Sequence, residues 1–183
     1  MKFDIFIKGK LVDLVIFKKN ILLKTNFYTW LNDQKITKFI TNAGYFPITR
    51  KEEIEYYEQN IKSKKRIQLG IVLKKYKKLI GVLSLYNIDH IDGTCNISAM
   101  LNQNEKKINS LHFFREAQSL LIDHAFRRLN LRRIEAAAAS KQMLEFNKKL
   151  FGFKCEGIMK ERKYVDGKYI DIYLLALLKK NWK

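Results

Sequence analysis

The stretch "NEKKINSLHFFREAQSLLIDHAFRRLNLRRIEAAAAS", residues 104–140, decides the fold. It opens on polar residues and turns amphipathic. Phe113, Phe114, Ala117, Leu120, Leu121, His124, Ala125 and Leu129 then recur at helical spacing and mark one broad apolar face. That face predicts a helix from about Ser110 to Leu129 lying on a sheet. Asn130 interrupts it. The next segment, "RRIEAAAAS" at 132–140, is ambiguous, because its four alanines have the best helix propensity of any residue. It nevertheless stands where a chain leaving the helix should return to the sheet, and on topology it reads as a strand. The stretch therefore supplies one strand–helix–strand crossover.

Working outward, "GKLVDLVIF" (9–17) reads as a strand apolar on both faces. In "NILLKTNFYTWLND" (20–33), Leu22, Leu23, Phe27, Trp30 and Leu31 have helical spacing, and "ITKFI" continues as a second short helix. The only proline, Pro47, marks a loop in "NAGYFPIT". Thr49 and Glu52 form a capping box that predicts a helix to about residue 63. "RIQLGIVLK" (66–74), "KLIGVLSLYNI" (78–88) and "GTCNISAML" (93–101) read as an antiparallel meander. "KQMLEFNKKLFGF" predicts a helix closed by Gly152. The rest is a hairpin turning at "DG", residues 166–167. With no linker, repeat or low-complexity tract, residues 1–183 read as one domain. The class is α+β: a mixed, mostly antiparallel sheet of about seven strands flanked by helices.

Composition narrows the setting. Hydrophobic residues are 47% of the chain, which gives a globular protein, and no apolar run approaches the roughly 18 residues of a membrane span. Asp4 and Lys8 leave the N-terminal apolar core too short for a signal peptide. Cys95 and Cys155 form no CxxC pair, and with His90, His112 and His124 they show no zinc-ligand spacing, so no metal is expected. Two free thiols fit a reducing, cytoplasmic setting. The 36 Lys and Arg against 18 Asp and Glu give +18. That charge suits an anionic partner such as RNA, the ribosome, a nucleotide or a phosphorylated cofactor; it also suits a surface rich in solvated lysine. No KH loop or RRM aromatic motif is present, so charge alone names no nucleic acid.

In order along the chain, "WLND" with "ITKFI", "LIGVLSLYNID", "EAQSLLIDHAFRRLNLRRIEA", "LFGFKCEG" and "ERKYVDGKYIDIYLLALLKKNW" resemble the GNAT superfamily of acyl-CoA-dependent N-acetyltransferases. The branch most similar holds ribosomal-protein N-terminal and amino-sugar acetyltransferases. The resemblance spans about residues 9–182 and implies the GNAT fold, with acetyl-CoA as co-substrate. It implies that the strand before the long helix splays from the strand after it, and that the acetyl-pantetheine arm pairs with Ala99, Met100 and Leu101, as a peptide adds to a strand edge. It implies a diphosphate at the helix start, on Ser110, Leu111, His112 and Phe113, where free N–H groups and the helix dipole favour an anion.

The family loop usually carries two glycines before an "EA" pair. Aligned on Glu116-Ala117, Ser110 and His112 stand in their places. Their loss removes conformational freedom but keeps the N–H donors. Ser110 can cap the helix or donate to a phosphate, and Lys106, Lys107 and Arg115 can bring positive charge. Where the family has a pantetheine-binding Asn stands Lys141, and where it has a proton-donating Tyr stands Lys148, which can donate a proton, contact phosphate or face solvent.

Acetyl transfer needs a proton acceptor for the amine, a donor for the developing oxyanion and close approach of the reactants. The Leu101 N–H can serve the oxyanion. The family's carboxylate base is missing from "TCNISAML", and His90 and Asp92 in the preceding turn are the candidates, His90 because imidazole as a residue type is the usual base near neutral pH. His90 also reads as an exposed turn histidine. Trp30, Asp33, Tyr164 and Asp171 are expected on the acceptor side by resemblance, although Asp33 also reads as a helix cap and the hairpin pair as structural. His124 reads as a core histidine, and Glu116 as the partner of a Lys or Arg across a helical turn.

The function expected is acetyl transfer to a primary amine, with a nucleotide-linked amino sugar slightly ahead of a protein N-terminus, by a monomer or homodimer. The alternatives are a GNAT-fold binding module without catalysis and an RNA- or ribosome-associated protein.

Overall fold

The computed structural model describes residues 2–38, 45–60, 63–102 and 110–182. Along the chain run β1 (Ile5–Lys8), β2 (Val12–Ile16), α1 (Lys19–Lys24), α2 (Phe27–Leu31), α3 (Gln34–Thr37), α4 (Arg50–Asn60), β3 (Ile67–Leu73), β4 (Lys78–Asp89), β5 (Thr94–Leu101), α5 (Ser110–Arg127), β6 (Arg133–Ala138), α6 (Lys141–Phe151), β7 (Lys154–Val165) and β8 (Lys168–Leu178). The strands form one mixed sheet in the order β1-β2-β3-β4-β5-β6-β8-β7. No helix of the described residues is long and apolar enough to cross a membrane.

The sheet has eight strands where about seven were expected. The addition is β1, whose residues are mostly exposed and so lack the inward alternation by which a strand is recognised. It pairs antiparallel with β2, and Gly9–Leu11, expected inside a strand, are instead the turn between them. The single helix expected over 20–33 is two, broken at Thr25. Its hydroxyl donates to the Ile21 carbonyl at 2.6 Å and its backbone is extended, so the side chain competes with the helix ladder. The capping box is realised: Glu52 N–H donates to Thr49 Oγ1 at 3.2 Å, and Thr49 N–H donates to Glu52 Oε2 at 2.7 Å. Of the expected short helix and loop, Phe39, Ile40 and residues 41–44 lie outside the described residues. The alanine-rich segment is strand β6, with Ala136, Ala137 and Ala138 in register with Leu175, Leu174 and Tyr173 of β8. Sheet pairing overrides alanine's helical preference there.

The chain divides into two compact units, residues 1–84 with 99–118, and residues 85–98 with 119–183. The first unit holds a core of Val15, Phe17, Ile21, Leu22, Phe27, Trp30, Ile36, Val72, Leu79 and Val82. Phe27 meets Phe17 and Trp30 edge-on at ring-centroid separations of 5.1 and 5.4 Å. In the second, Phe126, Leu131, Ile134, Phe153 and Leu177 are fully buried. Cys95 is buried there and Cys155 exposed, and both are free thiols. Burial, with Glu135 nearby, pushes the Cys95 thiol up to about 12.

Candidate active site

In the second unit β5 and β6 run parallel and pair Thr94 with Arg133, Cys95 with Ile134, and Asn96 with Glu135. Beyond Glu135, β6 continues to Ala138, paired with β8 on its other side. Ile97 and Ser98 of β5 have no place in that register, and Ser98 is exposed. The parallel ladder thus closes for three residue pairs and stops while both strands go on.

In the first unit β5 ends as Ala99–Leu101. Ala99 is exposed, and Met100 and Leu101 are half-buried. The neighbouring β4 holds this end, with Asn102 N–H donating to the Ile80 carbonyl at 3.0 Å. β4 approaches so closely that only a glycine fits at Gly81: a Cβ there would lie 2.7 Å from the Met100 carbonyl oxygen and 2.7 Å from Leu101 Cδ2. Helix α5 begins at Ser110, with Leu111 and His112 exposed and Phe113 half-buried. The first four N–H groups of a helix have no partner within it and carry the positive end of its dipole. Lys106, Lys107 and the Ser110 side chain lie outside the described residues.

Glu116 departs from expectation. Its partner is not a Lys or Arg side chain one turn away but the backbone of the β1–β2 turn: the N–H groups of Lys10 and Leu11 donate to its carboxylate, Leu11 to Oε2 at 2.9 Å. Other bonds brace the turn. Gly9 N–H donates to Asp13 Oδ1 at 3.2 Å, Lys74 Nζ to the Gly9 carbonyl at 2.9 Å, and Lys74 N–H to the Leu11 carbonyl at 3.1 Å. The first turns of α5 are therefore tied to the N-terminal hairpin.

The other expected residues fall as follows. His90 and Asp92 lie exposed in the turn before β5, at the opposite end of that strand from Leu101. Asp89 shapes this turn by accepting from Ile91 and Asp92 N–H at 2.8 and 3.0 Å. Lys141 is exposed at the start of α6, which Ser140 caps by accepting from Met143 N–H at 3.1 Å. Lys148 donates to Glu145 at 2.7 Å, an exposed pair one helical turn apart. Asp33 caps α3, accepting from Lys35 N–H at 2.9 Å. Tyr164 meets Tyr169 edge-on at 5.2 Å. Asp171 takes Lys160 at 2.8 Å and Glu161 N–H at 3.0 Å, where β7 slips register, and these partners hold its carboxyl below the usual range. His124 is half-buried, and burial lowers its pKa.

Trp30 lines a cavity of about 330 Å³ in the first unit, with Phe3, Lys24, Thr25, Asn26, Lys77, Lys78, Leu79 and Asn102; Asp33 is not part of it. Sequence reasoning passed over Glu53 as well. It is only 7% exposed on α4, and burial pushes its carboxyl up to about 7 against a small opposing effect of Arg66. Its place beside Ile54 and Tyr57, which pack on the core, was the available signal.

Known proteins share this chain's fold and part of its sequence. Residues 23–143 match the family model described as an acetyltransferase (GNAT) domain. The chain is 24% identical to the uncharacterized N-acetyltransferase p20 of Bacillus licheniformis, over 82% of this chain and 84% of that one. It is 29% identical to the probable N-acetyltransferase YjcK of Bacillus subtilis, over 70% and 71%. Among solved structures, it is similar to a spermidine N-acetyltransferase from Vibrio cholerae in complex with CoA and spermine, with a TM-score of 0.83 and 19% identity, covering 94% of this chain and 98% of that one. A GNAT-family acetyltransferase from Bacillus anthracis gives a TM-score of 0.75 at 18% identity, covering 96% and 99%. The chain belongs to the GNAT family of acetyltransferases.

Proposed function

We propose that the chain transfers an acetyl group from acetyl-CoA to a primary amine, with the acyl arm along the free edge of β5 at Ala99–Leu101 and the diphosphate on the N–H groups that open α5. The end of the β5–β6 ladder at Asn96 and Glu135 carries this reading, because a strand with one unpaired edge can accept an extended, amide-bearing arm. Leu111 and His112 are exposed at the helix start, where free N–H groups favour an anion.

In the reaction the amine nitrogen bonds the thioester carbonyl carbon, the C–S bond breaks, and CoA leaves as the thiolate. The Leu101 N–H is the proposed donor to the carbonyl oxygen as charge develops there. The proton lost by the amine passes to solvent, because His90 and Asp92 lie at the opposite end of β5 from Leu101, and the thiolate is reprotonated from solvent or from Lys148. Lys141 stands as a further contact for the pantetheine arm. Trp30, Asp33, Tyr164 and Asp171 are proposed on the acceptor side, the last three with structural hydrogen bonds or ring contacts of their own.

For the acceptor, the net charge of +18 favours an amine that carries anionic groups, such as a nucleotide-linked amino sugar, over a polycation. A protein N-terminus is the second acceptor class, supported by 28% identity over 57% of this chain to a putative ribosomal N-acetyltransferase of Bacillus subtilis, YdaF.

The test is thiol release from acetyl-CoA across panels of amino sugars, nucleotide-linked amino sugars, polyamines and peptides, with a thermal melt in acetyl-CoA as the binding control. Acetyl-CoA is expected to raise the melting temperature with concentration. No shift up to millimolar ligand overturns the proposal. His90→Ala is expected to leave turnover and acetyl-CoA affinity nearly unchanged, and a large loss of turnover would return His90 to the mechanism as the base.

A further inference from the structure

The last three strands of the sheet carry an apolar patch that is open to water. Ala137 of β6 stands opposite Leu174 of β8, and Leu174 opposite Gly157 of β7; two residues along, Ile172 stands opposite Met159. Alternate residues of a strand point to the same face, so these five share one face. None of them is polar. Ala137, Leu174 and Met159 are exposed, the last two at 41% and 39%, whereas Leu175, the next residue of β8 and on the other face, is buried. An apolar patch left exposed and contiguous in this way marks an interaction surface. At its margin Glu135 and Glu156 accept from Arg133 at 2.8 and 3.0 Å, so the charges there already offset one another.

Charge identifies the occupant. The chain carries +18, yet residues 154–178, which form the β7–β8 hairpin, hold five basic residues against four acidic ones. Nearly all of the net charge therefore lies elsewhere. RNA or an acidic protein would be drawn to the lysine-rich remainder and not to this hairpin. Two copies of the chain repel one another over most of their surface, and this hairpin is where they can approach with little repulsion. β7 is also the edge strand of the sheet, 12 residues long. Its edge is a poor template for adding a strand, because the register slips between Met159 and Lys163 and Glu161 takes a left-handed φ of 48°. That leaves the face, and not the edge, as the surface that packs.

From this we infer that the open face of β6, β8 and β7 is a homodimer interface. Two copies stack these faces about a twofold axis, with Leu174 and Met159 of each against the partner's sheet, at the roughly 10 Å spacing of packed sheets. The sequence left monomer and homodimer equally open, and the inference does not rest on the acetyl-transfer reading.

The test is sedimentation velocity on the full chain from about 1 to about 100 μM, where the wild-type protein is expected to pass from monomer to dimer. Leu174→Lys and Met159→Lys each place a cation in the patch at an exposed position, and each is expected to raise the dissociation constant by roughly tenfold or more. Ile5→Lys adds the same charge at an exposed apolar site on β1 and is expected to leave the dimer intact. Added salt is expected to tighten the dimer by screening the repulsion between two basic chains. A measurement on the wild-type protein needs no variant to fold: oxidation of Met159 by hydroxyl radicals is expected to slow at the high end of the concentration range. A monomer throughout the range overturns the inference. So does a dimer that forms equally in both patch variants, one that salt dissolves, or one in which Met159 oxidises as fast as in the monomer.

Discussion

Glu53 combines deep burial with a carboxyl pushed up to about 7, so its protonation is coupled to folding. Below about pH 4.5 it is protonated in both folded and unfolded chains. Between about 4.5 and 7 the unfolded chain ionises first, so stability falls as pH rises, and the loss is complete above about 7. Glu53→Gln is expected to flatten this part of the stability–pH curve and to stabilise the protein at pH 8 by about 2 kcal/mol, read from urea melts across the window. Gly81 acts by the absence of a side chain. Gly81→Ala drives a methyl into the Met100 carbonyl and Leu101. The expected cost is about 1–3 kcal/mol of stability, with weaker acetyl-CoA binding because the displaced segment is the proposed arm site; a melt and an acetyl-CoA titration on one preparation separate the two effects. In the sequence Glu53 is one acid of a capped helix, its burial signalled only by its place beside Ile54 and Tyr57, and Gly81 is one residue of an apolar strand. Side-chain depth and the approach of a neighbouring strand are tertiary facts.

At the scale of elements the sequence was more informative. The crossover strand, the capping box at Thr49 and Glu52, and the Gly152 helix stop all follow from local chemistry, and each appears where expected. Boundaries failed where a polar side chain competed with the backbone, as at Thr25, or where a strand gave no alternation, as in β1. The candidate site was legible through the strand and helix that frame it and much less through its side chains. Asp33, Lys148 and Asp171 have hydrogen-bond partners that their types and spacing only partly announced. The tie between Glu116 and the β1–β2 turn was hidden because it joins residues more than a hundred positions apart. Glu116→Ala is expected to weaken acetyl-CoA binding several-fold by releasing the start of α5. It should lower stability by only about 1–2 kcal/mol, because the bonds are exposed. Equal acetyl-CoA affinity in the variant would reduce the tie to ordinary packing.

For the whole molecule, a charge of +18 makes the surrounding solution part of the specificity. Raising ionic strength from about 0.01 to about 0.15 M shortens the screening length from about 30 to about 8 Å. The kcat/KM for a phosphate-bearing acceptor is expected to fall by roughly tenfold or more over that range, while that for an uncharged amine stays nearly constant, as steady-state rates in a salt series will show. The two cysteines bear on how such rates are measured. With Cys95 sealed in the sheet and Cys155 open to solvent, a chromogenic sulfhydryl reagent will register one equivalent per chain before any turnover begins. A Cys155→Ser background silences that blank, and the slow labelling that persists then becomes a clock for global opening of the fold.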